Sequence, residues 1–192
     1  MSKLIFEPEN HEYFYNGKKV PCVSNILEEF GISDFSKVNP RVLERACLFG
    51  SNVHETCELY DKDDLASCDP AIQPYLDQWK KFREDYNFLE FDLIEKPLYS
   101  KVWGFAGTLD RLSKGFGGLL DIKSGQEYVS HKIQTALYEI LAKENGYKVK
   151  KRGCVYLKPG KYKFVWNNDK TDLSIAKSLI SIYNFKKKEK LL

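Results

Sequence analysis

GTLDRLSKGFGGLLDIKSG, residues 107–125, sets Asp110, Asp121 and Lys123 inside runs that otherwise read as buried strands. The glycine cluster at 115–118 divides the stretch into two strands. Residues two apart in a strand share a face, so Asp121 and Lys123 point the same way. A turn centred on Gly115-Phe116 pairs residues whose numbers sum to 231, which sets Asp110 opposite Asp121. Directly opposed side chains hold their Cβ atoms about 4.5–5.5 Å apart. Two ionised carboxylates at roughly 5 Å repel by about 3 kcal/mol at an effective dielectric near 20, a burden of about two pKa units. Positive charge belongs between them. Lys123 supplies one; a divalent cation that prefers hard oxygen ligands, Mg²⁺ or Mn²⁺, suits two convergent carboxylates better. The competing reading pairs Asp110 with Arg111 and Asp121 with Lys123 as surface ion pairs. Apolar neighbours on both sides argue instead for burial, where unpaired charge is costly.

Upstream of this stretch, Pro97 and Gly104 punctuate further strand-like residues, so 91–125 reads as three antiparallel strands. Downstream, EYVSHKIQTALYEILAKENGY (127–147) turns helical, with Ile133, Leu137, Ile140 and Leu141 on one face and a stop at Gly146. Two more strands, GCVYLKPG (153–160) and KYKFVW (161–166), precede a closing helix from about Asp172. At the start, alternation around Asn16-Gly17 predicts a β-hairpin. Ser24 then caps a short helix closed by Gly31, and 39–64 forms a longer helix with Gly50 at a bend. A third helix starts with Asp69 as N-cap and Pro70 at the first helical position. The order αααβββαββα describes an α/β fold of the mixed α+β kind, a central mixed sheet flanked by helices. No linker or repeat interrupts it, so residues 1–192 are expected to form a single domain.

With 43% hydrophobic and 30% charged residues the chain is globular in composition. A net charge of +3 and a pI near 8.4 permit an anionic partner without demanding one. No apolar run reaches the ~18 residues that a bilayer requires, and the charged start does not read as a signal peptide, so a cytoplasmic, non-membrane protein is expected. Cys22, Cys47, Cys57, Cys68 and Cys154 make an odd number without a CxxC pair, which fits reduced thiols. Cys47 and Cys57 read as helix-packing residues.

GTLD followed by DIKSG resembles the D…(D/E)xK signature of the PD-(D/E)XK nuclease superfamily, with AGTLD (106–110) lacking the proline of the formal name. QTALY (134–138) is similar to the QxxxY motif that follows the lysine in the RecB-like branch, and FGSNVHE (49–55) to its helical G…H element. HEYFYNGKKVPCVSNIL (11–27) resembles the opening hairpin and helix of RecB-like exonucleases of phages and prophages. The likeness runs from about residue 11 to residue 165. It implies a restriction-endonuclease-like core at about 91–167 behind the N-terminal hairpin and helices. It makes His54, Asp110 and Asp121 metal ligands, with the Ile122 carbonyl a further candidate, and Lys123 the catalytic lysine. Glu95, in LIEKPLYS on the preceding strand, adds a candidate carboxylate. One or two Mg²⁺ or Mn²⁺ ions would serve phosphodiester hydrolysis by activating water and stabilising charge on phosphate.

Gln134 and Tyr138, at i and i+4, share a helix face from which to position the DNA backbone or the lysine. Each residue has a blander counterpart: a structural helical histidine for His54, a half-buried helix edge for Gln134 and Tyr138, a first-turn residue for His131. The lysine-rich tail YNFKKKEKLL suits a solvated helix end whose charges complement the dipole. The resemblance implies a DNA exonuclease in recombination, repair or phage DNA processing. An endonuclease with the same site, or an inactive DNA-binding module, are the alternatives. It admits a homo-oligomer and a single-strand annealing or recombination partner. Some relatives hold an iron–sulfur cluster by a C-terminal cysteine triplet; only Cys154 lies late in this chain, so no cluster is expected. No GxxxxGK[ST] phosphate loop occurs.

Overall fold

Asn16 and Gly17 take φ of 51° and 75°, the positive pair that a two-residue hairpin turn needs. They join β2 (Glu12–Tyr15) to β3 (Lys18–Val20), with Tyr15 opposite Lys18. The structure, a computed structural model, describes residues 3–192. The expected hairpin gains a third strand, because β1 (Leu4–Glu7) pairs antiparallel with β2.

Two helix starts and one expected bend depart from the sequence reading. Cys22 is extended and bridges to Ala106, so α1 (Val23–Glu29) begins directly after it. Asn25 Oδ1 accepts the Cys22 N–H at 3.0 Å, and Ser24 lies inside the helix instead of capping it. α2 (Pro40–Asp61) is capped by Asn39, whose Oδ1 accepts from Arg41 N at 3.0 Å, and passes through Gly50 without interruption. Gly50 faces the loop after the central strands, where an added Cβ would lie 3.7 Å from Ser124 Oγ. α3 (Gln73–Asp85) starts at Gln73 rather than Pro70: Asp69 closes a turn by accepting from Ala71 N at 2.8 Å, and Pro74 takes the second helical position.

β4 (Leu93–Tyr99), β5 (Ala106–Ser113) and β6 (Gly118–Lys123) pair antiparallel. α4 (Ser130–Glu144) carries the chain over to β7 (Lys151–Lys158), which lies parallel to β6, and β8 (Lys161–Trp166) returns antiparallel to β7. α5 (Thr171–Lys188) closes the chain. The result is a mixed five-stranded sheet in the order β4-β5-β6-β7-β8, flanked by helices, the α/β class expected. One apolar cluster joins the sheet to α1, α4 and α5, and a second joins it to α2 and α3. Pro97 sits in β4, an edge strand, where a missing N–H is tolerated. Among the described residues no helix is long and apolar enough to cross a membrane. Cys57 is buried as expected of a packing residue, whereas Cys47 is exposed on α2.

Two registers converge on the middle of β5. Arg111 pairs with Leu120, Leu112 with Leu119 and Ser113 with Gly118, all summing to 231 as predicted. β4 pairs Ile94 with Arg111 and Lys96 with Leu109, so Glu95 falls opposite Asp110. Glu95 itself leaves the ladder at φ 43°. Gly107, three residues before Asp110 on β5, lets α4 approach: a Cβ there would meet Tyr138 Cε1 at 2.9 Å.

Candidate active site

Three elements deliver the charged groups. α2 presents His54, β4 presents Glu95 at its break in the ladder, and β5 presents Asp110. His54 Nδ1 lies 3.5 Å from Glu95 Oε1 and 3.6 Å from Asp110 Oδ2. One ligand atom from each of the three lies within 4.8 Å of the others. Imidazole nitrogen and two carboxylate oxygens at this spacing suit a divalent ion such as Mg²⁺ or Mn²⁺. The other imidazole nitrogen, Nε2, is 2.9 Å from the Ile122 carbonyl oxygen. That contact fixes the ring and its tautomer, as an outer hydrogen bond does for a metal-binding histidine.

Asp121 and Lys123 stand beside this cluster on β6. Lys123 Nζ meets Asp121 Oδ2 at 2.7 Å, on the shared face that alternation predicts. Asp121 is 1% exposed and Asp110 6%, so the ion pair is interior and the surface-bridge reading fails. Asp110 does not pair its carboxylate with Arg111; it accepts the Ile122 N–H at 2.6 Å. Asp121 is also approached by the Cys154 thiol, at 3.8 Å. Of the sequence-predicted ligands, His54, Asp110 and the Ile122 carbonyl therefore meet, Glu95 joins them, and Asp121 faces the lysine.

Burial sets the electrostatics. It lifts Asp110 and Asp121 above the usual carboxylate range, and Glu95 adds to this for Asp110 while Lys123 opposes it for both. For Lys123 burial acts downward, but Asp121 and Asp110 outweigh it and hold the ammonium charged. Burial likewise acts downward on His54; Asp110 and Glu95 prevail and push it up to about 9.

Behind Glu95 lies a support that the sequence reading missed. Arg111 is wholly buried and donates from Nη1 to Glu95 Oε1 at 2.8 Å and from Nε to Asp61 Oδ2 at 2.7 Å. Asp61 also takes the Trp79 indole N–H at 3.1 Å and pairs with Arg83 at 3.3 Å. The signal was present in spacing: Asp61 follows His54 by seven residues, two turns along one face of α2. A non-glycine residue at positive φ costs about 1–3 kcal/mol and persists where its surroundings over-determine it. Arg111 does that for Glu95.

Gln134 and Tyr138 meet each other, Gln134 Nε2 donating to the Tyr138 hydroxyl at 3.2 Å. Tyr138 is buried, and burial raises its phenol well above the usual range, with Asp121 and Asp110 adding to the shift. His131 Nδ1 lies 3.1 Å from the Tyr156 hydroxyl, and burial pulls it down to about 4. The tail lysines stay at the helix end, Lys186 pairing with Glu29.

No protein-family model and no curated protein matches the chain. A solved structure from Eubacterium rectale, named "putative exonuclease", is similar in fold at a TM-score of 0.51 and 11% identity. The match covers 70% of this chain and 64% of that one, so this chain spans less than two thirds of the length of the protein it resembles.

Proposed function

We propose that the chain is a divalent-metal-dependent DNA nuclease of the RecB-like PD-(D/E)XK type, acting as an exonuclease in recombination, repair or phage DNA processing. The observation that carries the reading is the convergence of His54, Glu95 and Asp110 beside a buried Asp121–Lys123 pair. The fold likeness to the Eubacterium rectale structure supports it at the level of architecture. On this reading the whole chain is one nuclease domain with its catalytic core at about 91–167.

His54, Glu95 and Asp110 would hold the ion, with Asp121 a further carboxylate beside them and the Ile122 carbonyl orienting the His54 ring from its other nitrogen. A bound Mg²⁺ or Mn²⁺ would stabilise charge on the phosphate and make a water acidic enough to attack near neutral pH. Lys123 keeps its proton because Asp121 and Asp110 outweigh its burial. Its ammonium then orients the attacking water or the phosphate and offsets negative charge as the transition state forms. Asp61 and Arg111 keep Glu95 turned toward His54. Gln134 and Tyr138 form a neutral hydrogen-bonding pair on α4 for the DNA backbone.

Incubation with end-labelled linear DNA and with covalently closed circles, in Mg²⁺, Mn²⁺ or EDTA, tests this. Metal-dependent shortening of linear DNA with intact circles is the expected result. Nicked circles would make the protein an endonuclease, and binding without cleavage would leave only a DNA-binding module.

A further inference from the structure

A basic groove of about 400 Å³ opens next to Lys123, lined by Gln126, Glu127, Tyr156, Lys158, Lys161 and Lys163. Its geometry follows from the sheet. Lys123 pairs with Tyr156 and Tyr156 with Lys163, so these three form a row across β6, β7 and β8. Two residues further along, on the same face, Lys158 stands directly opposite Lys161. Directly opposed like charges destabilise a strand pair. Among the described residues no carboxylate pairs with either lysine, while Lys163 is partnered by Glu127. The His131 contact holds the Tyr156 hydroxyl, in the Lys123 row, at the wall of the groove. Lysines on an edge strand such as β8 also discourage sheet-to-sheet association. That role does not explain Lys158, the exposed last residue of β7, set directly against its like charge.

We propose that this groove binds the sugar–phosphate backbone of the DNA strand being cut, with Lys158 and Lys161 holding phosphates next to the one at Lys123. The proposal rests on the nuclease reading of the neighbouring site. Charge complementarity and continuity with Lys123 select the occupant. Two residues of strand advance about 7 Å, room for the step from one backbone phosphate to the next. A lone phosphate would need only one lysine row.

The test is fluorescence anisotropy of a labelled single-stranded oligonucleotide in EDTA, so that binding is read without cleavage. Each lost phosphate contact lowers the slope of log affinity against log salt by about 0.7 for a single strand. Lys158→Gln with Lys161→Gln is therefore expected to flatten the slope by about 1.4 and weaken binding at low salt. Lys158→Arg with Lys161→Arg is expected to keep the parent slope, since the charge remains. An unchanged slope in the glutamine variant overturns the groove, as does a parent that binds no oligonucleotide. Affinity that does not grow from a dinucleotide to a longer strand overturns it too, in favour of a lone phosphate. The nuclease reading fails separately: a protein that binds through these lysines yet never cleaves keeps the groove and loses the nuclease assignment.

Discussion

His54 sits between two carboxylates that hold its proton up to about 9 in the metal-free protein. A metal must take that nitrogen in its neutral form. At pH 7 the solution is about two units below the ring's pKa, so removing the proton costs about 3 kcal/mol, roughly a hundredfold in apparent affinity. The expected outcome is that log affinity for Mn²⁺ rises by about one per pH unit between pH 7 and 9, then levels, with about one proton released per ion. Calorimetric titration in buffers of different ionisation enthalpy counts that proton directly. His54→Ala removes both the slope and the proton. It also removes the preference for Mn²⁺ over Mg²⁺ that the softer imidazole nitrogen confers, while the carboxylates still hold an ion weakly. Affinity in the parent that is flat from pH 7 to 9, with no proton released, would refute the reasoning and return His54 to a structural role.

The same shift carries a stability consequence for the metal-free protein. A histidine whose folded pKa is raised from 6.5 to about 9 adds stability fully present below pH 6.5 and lost as pH rises through 9, in all about 3 kcal/mol; urea unfolding at pH 6 and pH 10 in parent and His54→Ala measures it. Arg111→Met takes the buried guanidinium from Asp61 and Glu95, leaving Arg83 and the Trp79 indole on Asp61, and is expected to cost about 1–3 kcal/mol, seen as a fall in Tm of roughly 2–12 °C. Lys123→Met is expected to retain Mn²⁺ binding by calorimetry while cleavage falls by about 10²–10³, because its ammonium acts on the transition state more than on the ion; an equal loss of metal affinity would contradict that role.

Much of the site was legible because strands read in steps of two. The register that sums to 231 follows from a short turn in a glycine-rich stretch, and the shared face of Asp121 and Lys123 from strand alternation. The hairpin at Asn16-Gly17 was legible for a similar reason, since few residues tolerate two successive positive φ values. Helix starts were less so. Asp69 next to proline looks like a cap, yet the same carboxylate closes a turn equally well, and here it does so ahead of the helix. Cys22 gave no capping signal because its bridge to Ala106, far off in sequence, ends the extended segment there. The Asp61–Arg111–Glu95 network was hidden by sequence distance, its members lying on α2, β5 and β4. The arrangement of Lys123 on Asp121, with Glu95 rather than Asp121 nearest to His54, depends on side-chain angles that no spacing encodes.

Whether these carboxylates serve a metal-dependent phosphodiesterase centre is read from cleavage itself. The most direct measurement is the rate of nucleotide release from end-labelled linear duplex DNA at saturating Mn²⁺, by the parent and by Asp110→Asn of equal thermal stability. Steady release by the parent, none in EDTA, and loss of at least about 10³ in the variant are expected. Equal rates in the two proteins, or no release by the parent in either metal, would contradict such a centre.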